Sequence, residues 1–178
     1  MLYRTHLLGG VAAGLVLAGN FDTMLTAVGI TCAASLLPDI DSPHSKLGRL
    51  VPFISWPLNA TIGHRGPLHS LFGAAAFCLI LMVVSLFWHP INTGIVLVFF
   101  AGYISHLVLD SFNPSGVPWL WPLKTHFKVP LVQTGSVLER LVIMPFMLVS
   151  CNYLVWPVFT DKLFGFLSSL TYINRFFK

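Results

Sequence analysis

Residues 68–88, from Leu68 to Trp88, are almost uninterruptedly apolar. As one helix they would rise about 31 Å, enough to span the hydrocarbon core of a bilayer. The rest of the chain agrees with that reading. Charged residues make up only 9% of the sequence, against about 25% in a soluble domain, and the mean hydropathy is +0.81. The expected class is therefore an all-α, multi-pass transmembrane bundle, folded as a single domain over residues 1–178.

Further apolar runs set the layout. His89-Pro90 stops the first helix and Asn92-Thr93 starts a second, over 93–110. A third span is expected over 141–159, entered past Glu139-Arg140 and softly interrupted by Asn152 and Pro157. Near the N-terminus, two shorter stretches, 7–18 and 24–38, flank Gly19-Asn20-Phe21-Asp22-Thr23. Gly19 suits a helix stop and Asp22 or Thr23 a new cap. A hairpin of two short arms follows, each arm marginal for a full crossing. The total is four to five hydrophobic helices. Arg4 before an apolar run also fits a signal peptide, but no small-x-small cleavage site follows and a second apolar stretch does. Gly10-Val11-Ala12-Ala13-Gly14 offers a small-xxx-small packing face, for which chance in a Gly/Ala-rich segment is an equal reading.

Two long connections, 39–67 and 111–136, are rich in Pro, Gly, Ser and aromatics, with Trp56-Pro57 in the first and Trp121-Pro122 in the second. Trp beside Pro fits loops at headgroup level. A short interfacial helix is expected over 163–173. Cys32, Cys78 and Cys151 lie far apart in apolar runs and read as packing residues rather than a thiolate site. The net charge of +4 is scattered around apolar spans, which points to topology or anionic lipid rather than direct nucleic-acid binding.

Against this background a few polar clusters stand out: His6, Asp39-Ile40-Asp41, His64-Arg65-Gly66-Pro67-Leu68-His69, His106 and Asp110. Carboxylates and imidazoles at the edges of apolar helices are costly, so they are functional candidates by default. Threading the chain brings them together. His6 precedes the hairpin and Asp39 and Asp41 follow it, His64 and His69 stand at the start of the 68–88 helix, and the 93–110 helix returns with His106 and Asp110. All fall on one side. A single unbroken helix over 7–38 would instead separate His6 and Asp39 by roughly 45 Å.

The local spacing suits a divalent ion. His106 and Asp110, four apart on a helix, present their side chains on one face with Cβ atoms about 5–6 Å apart. An extended backbone after Pro38 would aim Asp39 and Asp41 the same way. Pro67 suits a first helical position, and the free N–H groups there, with Arg65, form a phosphate-type anion site. His89, in the short turn on the opposite side, reads as structural, and the loop residues His44 and His126 lack a partner at ligand spacing. Glu139-Arg140 reads as a helix-start ion pair.

Three blocks carry a resemblance: Leu37-Pro38-Asp39-Ile40-Asp41-Ser42-Pro43, Gly63-His64-Arg65-Gly66-Pro67-Leu68-His69-Ser70 and Gly102-Tyr103-x-x-His106-x-x-x-Asp110. With Thr5-His6-x-x-x-Gly10 and Gly116…Pro122 they cover residues 5–122. They resemble the YdjM-type family of bacterial inner-membrane metal-dependent hydrolases. The resemblance implies a multi-pass membrane hydrolase, in some members under DNA-damage control. More distantly the order His, Asp, His, His-x-x-x-Asp is similar to the zinc-dependent phospholipase C and P1-type nuclease group. That would make His6, Asp39, His64 or His69, His106 and Asp110 zinc ligands. The later His-x-x-x-Glu of that group has no counterpart here, which reduces the expected cluster to one or two ions.

The function expected from these residues is a metal-dependent phosphoesterase acting on a lipid or other membrane-proximal phosphate. Zinc or a similar ion would activate a water. Whichever of Asp39 and Asp41 is not a tight ligand would serve as general base, and Arg65 would neutralise phosphate charge. A metal or ion transporter and a non-catalytic membrane scaffold are the alternatives. Polar residues running through the spans would mark the former, and 72–102 offers little beyond Ser85, Asn92 and Thr93. Arg4, Lys46, Arg49, Arg65, Lys124, Lys128 and Arg140 lie on the site side, against Lys162, Arg175 and Lys178 opposite. This balance predicts a cytoplasmic site.

Overall fold

The computed structural model describes residues 1–63, 65–123 and 125–176, without the side chains of Phe21 and of 168–176. It is all-helical; among the described residues the only β-type pairing is an isolated bridge between Val117 and Phe127. In chain order the elements are α1 (Tyr3–Leu17), α2 (Phe21–Leu36), α3 (Lys46–Leu50), α4 (Pro52–Ile62), α5 (Leu71–Ser85), α6 (Thr93–Ser111) and α7 (Met144–Phe176). Short 3-10 turns cover Leu37–Asp41 and Pro67–His69, and a π-helical turn at Glu139–Ile143 leads into α7.

The N-terminal hairpin forms as the sequence suggests. Asn20, rather than Asp22 or Thr23, caps α2: its side chain accepts from Thr23 N while Thr23 returns a bond to the Asn20 backbone. The helix of α1 begins earlier than residue 7 and takes in His6. Among the described residues, three segments are long and apolar enough to cross a membrane: Asp22–Asp41, Thr93–Ser111 and Glu139–Leu167.

Three expected elements come out differently. The helix expected over 68–88 is only Leu71–Ser85, which rises about 22 Å. Ser70 caps it by accepting from Gly73 N, and Pro67–His69 close a separate 3-10 turn before it. The connection 39–67 is not a loop but carries α3 and α4, the latter opened by Pro52. The helix expected over 163–173 is a continuation of α7, with Pro157 inside it.

The small-xxx-small face is a genuine contact. A Cβ on Gly14 would lie 2.6 Å from Val28 Cα, and one on Gly10 would lie 2.8 Å from Cys32 Cα. From α6, a Cβ on Gly102 would lie 2.6 Å from Thr31 Cα. The backbones of α1, α2 and α6 therefore approach closely, with the small Thr31 and Ser35 side chains in the seam, the packing mode available to helices in lipid. Ala34, Ala74, Tyr103, Leu107 and Val117 form the buried apolar cluster beside this seam. Broad apolar faces of α5 and α7, including Leu79, Met82, Val149 and Tyr153, are exposed, as expected of surfaces that meet lipid.

Candidate metal centre

Because α2 and α6 run side by side toward the same end, the 3-10 turn that follows α2 and the last turns of α6 deliver Asp39 and the His106/Asp110 pair together. His6 projects from α1 and His69 from the turn before α5. His6, Asp41, His69 and His106 are fully buried, and Asp110 is almost so. One donor atom from each of His6, Asp39 and His106 lies within 4.8 Å of the others, and the same holds for His69, His106 and Asp110.

The surroundings fix which nitrogen each imidazole offers. His106 Nδ1 donates to the Ser35 carbonyl at 2.7 Å, so Nε2 carries the lone pair. That Nε2 is buried and has no hydrogen-bond partner among the described residues. It lies 3.7 Å from Asp110 Oδ2 and 3.9 Å from Asp39 Oδ1. His69 Nδ1 donates to Asp41 Oδ2 at 3.0 Å, which turns Nε2 toward Asp39 Oδ1, 3.7 Å away. His6 stacks on His106 with ring centroids 3.8 Å apart, and its Nε2 is 3.3 Å from Asp110 Oδ1. Asp110 Oδ1 also meets the α-amino group of Met1. Imidazole and carboxylate donors in this number are the set that zinc-like ions take. Carboxylate- and carbonyl-anchored histidines are the usual support of such ligands. The residues present fit a divalent ion.

The two aspartates separate in role. They sit in a 3-10 turn, not on the extended backbone expected, and so do not point in parallel. Asp41 is occupied by His69 and by Arg65 N at 3.2 Å. Asp39 lines the cavity that opens over the site, and its side chain is 16% exposed. Burial disfavours the charged form of His69, but its bonds to Asp39 and Asp41 and their charges outweigh this and raise it to about 9.

Arg65 adopts a left-handed backbone, φ 63°. Its guanidinium donates to Gly116 O at 3.0 Å and approaches Asp110 Oδ2 at 3.5 Å. It thus joins the second long connection to the site. That connection is pinned again where Trp119 Nε1 donates to Ser111 Oγ, 2.8 Å. His64 lies outside the described residues, as does Lys124.

Sequence reasoning missed two supports. Ser35 acts through its backbone, which leaves no signature in residue type. Glu139 was read as an ion-pair partner of Arg140; it is instead fully buried and accepts from Leu2 N (2.7 Å), Thr5 Oγ1 (2.7 Å) and Gly135 N (2.6 Å). The available signal was that a chain with six acids had placed one of them at the start of an apolar span.

The YdjM inner membrane protein family model matches residues 1–173. The chain belongs to the YdjM family. Within that family, it is 42% identical over 123 residues to the inner membrane protein YdjM of Escherichia coli (strain K12), covering 65% of this chain and 58% of that protein. The Shigella flexneri protein of the same name matches equally. The chain thus spans less than two thirds of the length of these curated relatives. The uncharacterized protein YvsG of Bacillus subtilis (strain 168) is 34% identical over 170 residues, covering 92% of this chain and all of YvsG. No solved structure matches.

Proposed function

We propose that this YdjM-family chain is a multi-pass inner-membrane hydrolase that uses one divalent metal ion, zinc or similar, to cleave a phosphate ester at the membrane surface. The observation that carries the reading is His106 Nε2. It is a buried, oriented lone pair with no hydrogen-bond partner among the described residues, sitting among the donors of His6, Asp39, His69 and Asp110. An imidazole whose Nδ1 is hydrogen-bonded has one nitrogen left, and an sp² nitrogen binds one ion. Since both donor triads include His106, they describe a single ion.

When bound, such an ion polarises a phosphoryl oxygen and brings the pKa of a bound water toward neutrality. The chain's own residues supply the remainder. Asp39, the carboxylate open to the cavity, takes the proton of the attacking water. Asp41 is a positioning residue that holds the His69 ring and its tautomer. Arg65, tethered by Gly116 O, faces the phosphate and offsets its growing charge. The distant likeness to zinc-dependent phospholipase C and P1-type nuclease supports the ligand types only.

The test is metal content and phosphoesterase activity of detergent-purified protein beside His106→Ala and Asp110→Ala. Wild type should retain close to one ion per chain and both variants should lose ion and activity together. Variants that fold, keep the metal and stay fully active would sink the reading. The site is proposed to face the cytoplasm, on the weight of Arg4, Lys46, Arg49, Arg65, Lys128 and Arg140 around it. A topology reporter fused after Lys178 should then read the opposite side.

A further inference from the structure

The cavity above the metal donors has a volume of about 420 Å³, at the smaller end of ligand sites. Asp39, Asp110 and Arg65 line it, as do His44, Lys46 and Arg49, the last two making up its basic wall. Among the described residues that line it, Asp39 and Asp110 are the only carboxylates. Among the described residues neither Lys46 nor Arg49 pairs with a carboxylate. The positive wall therefore exceeds what the protein itself neutralises.

That wall is built onto the metal site rather than scattered over the surface. Lys46 and Arg49 stand three apart on α3 and so share a face. Ser45 caps α3 by accepting from Gly48 N, and its hydroxyl donates to Asp39 O at 2.7 Å. Gly48 is buried against Ser42 and Ser55, with no room for a Cβ. The basic pair is thus held in fixed relation to the Asp39 turn. Immediately beyond it, Leu50, Phe53 and Trp56 are exposed, an apolar rim suited to headgroup depth.

We propose that Lys46 and Arg49 form a second anion subsite, so that the molecule this site takes carries two phosphate groups. One lies against Arg65 and the metal donors, the other against α3. This rests on the phosphoester reading above and narrows its substrate class.

The test compares inorganic phosphate, inorganic pyrophosphate and farnesyl diphosphate in mixed micelles, each titrated into detergent-purified protein in buffer of fixed free zinc. Loss of a charged hydrogen-bonding partner costs roughly tenfold or more in affinity. Wild type should bind pyrophosphate at least tenfold tighter than phosphate. K46Q/R49Q should erase that preference and bind phosphate as before, while K46R/R49K should keep it. Both side chains are exposed, so melting midpoints should match. Tighter binding of farnesyl diphosphate than pyrophosphate assigns a lipid source, and equal binding a soluble one. Equal affinities for phosphate and pyrophosphate in wild type, or a preference that survives K46Q/R49Q, overturns the subsite while leaving the metal centre intact. Absence of bound metal and of any anion binding overturns the hydrolase reading as well.

Discussion

Gly102→Ala should weaken metal binding from a position that touches no ligand. Its new Cβ would stand 2.6 Å from Thr31 Cα and 2.9 Å from Thr31 C, where ordinary contact is 3.4 Å or more. Both are backbone atoms and cannot rotate away, so α2 and α6 must part by about 1 Å. One turn farther along the same two helices, His106 Nδ1 donates to Ser35 O at 2.7 Å. The same displacement stretches that bond to about 3.5 Å, past useful hydrogen bonding. Losing such a support costs on the order of 10–100-fold in metal affinity, with about 1–3 kcal/mol of stability lost to overpacking. Gly29→Ala is the matched control: it also lies in α2, but nothing is within 4 Å of its Cβ position, so it should leave affinity unchanged and stability equal or slightly higher. The assay is competition with a zinc chelator in detergent, paired with the melting midpoint. If Gly102→Ala binds zinc within twofold of Gly29→Ala, the link between helix spacing and ligand orientation is refuted.

Other outcomes follow from the same geometry. Asp41→Asn should keep the fold but lose about tenfold or more in metal affinity; equal affinity would show that the His69–Asp41 bond does not support the site. Metal uptake should strengthen as pH rises toward 9 and then level off, because an ion must displace the proton that Asp39 and Asp41 hold on His69 up to about 9. The affinity–pH slope in Asp41→Asn should be shallower below that point. Glu139→Ala removes the acceptor of three hydrogen bonds and should cost about 2–4 kcal/mol, read as a lowered melting midpoint, with Glu139→Gln losing less. A midpoint unchanged in Glu139→Ala would refute the anchoring role.

Much of the site could be read from residue order. The i, i+4 spacing of His106 and Asp110 needs nothing but a helix. The convergence of His6, Asp39 and His69 on that pair follows from counting turns between apolar runs. What stayed hidden depends on interactions that residue type does not encode. Ser35 contributes only its carbonyl, which any residue carries. Asp39 and Asp41 are chemically identical, and only the 3-10 turn at Leu37–Asp41 gives one to the cavity and the other to His69. The start of α5 turned on a single hydroxyl, since Ser70 capped a helix that the apolar pattern would have begun at Leu68. Glu139 pairs across more than a hundred residues of chain, beyond the reach of local spacing. It was misread because its sequence neighbour is an arginine.

That long-range pairing has a consequence for biogenesis. Leu2 and Thr5 are fastened by a carboxylate made more than a hundred residues later, and His6 is the next residue along. Until the ribosome has passed residue 139, the first turn lacks this anchor and meets the centre through the contacts of Met1 and His6 with Asp110. The five candidate donors, His6, Asp39, His69, His106 and Asp110, all precede the carboxylate that steadies the first turn, so a chain stalled ahead of Glu139 should hold a looser centre of lower metal affinity.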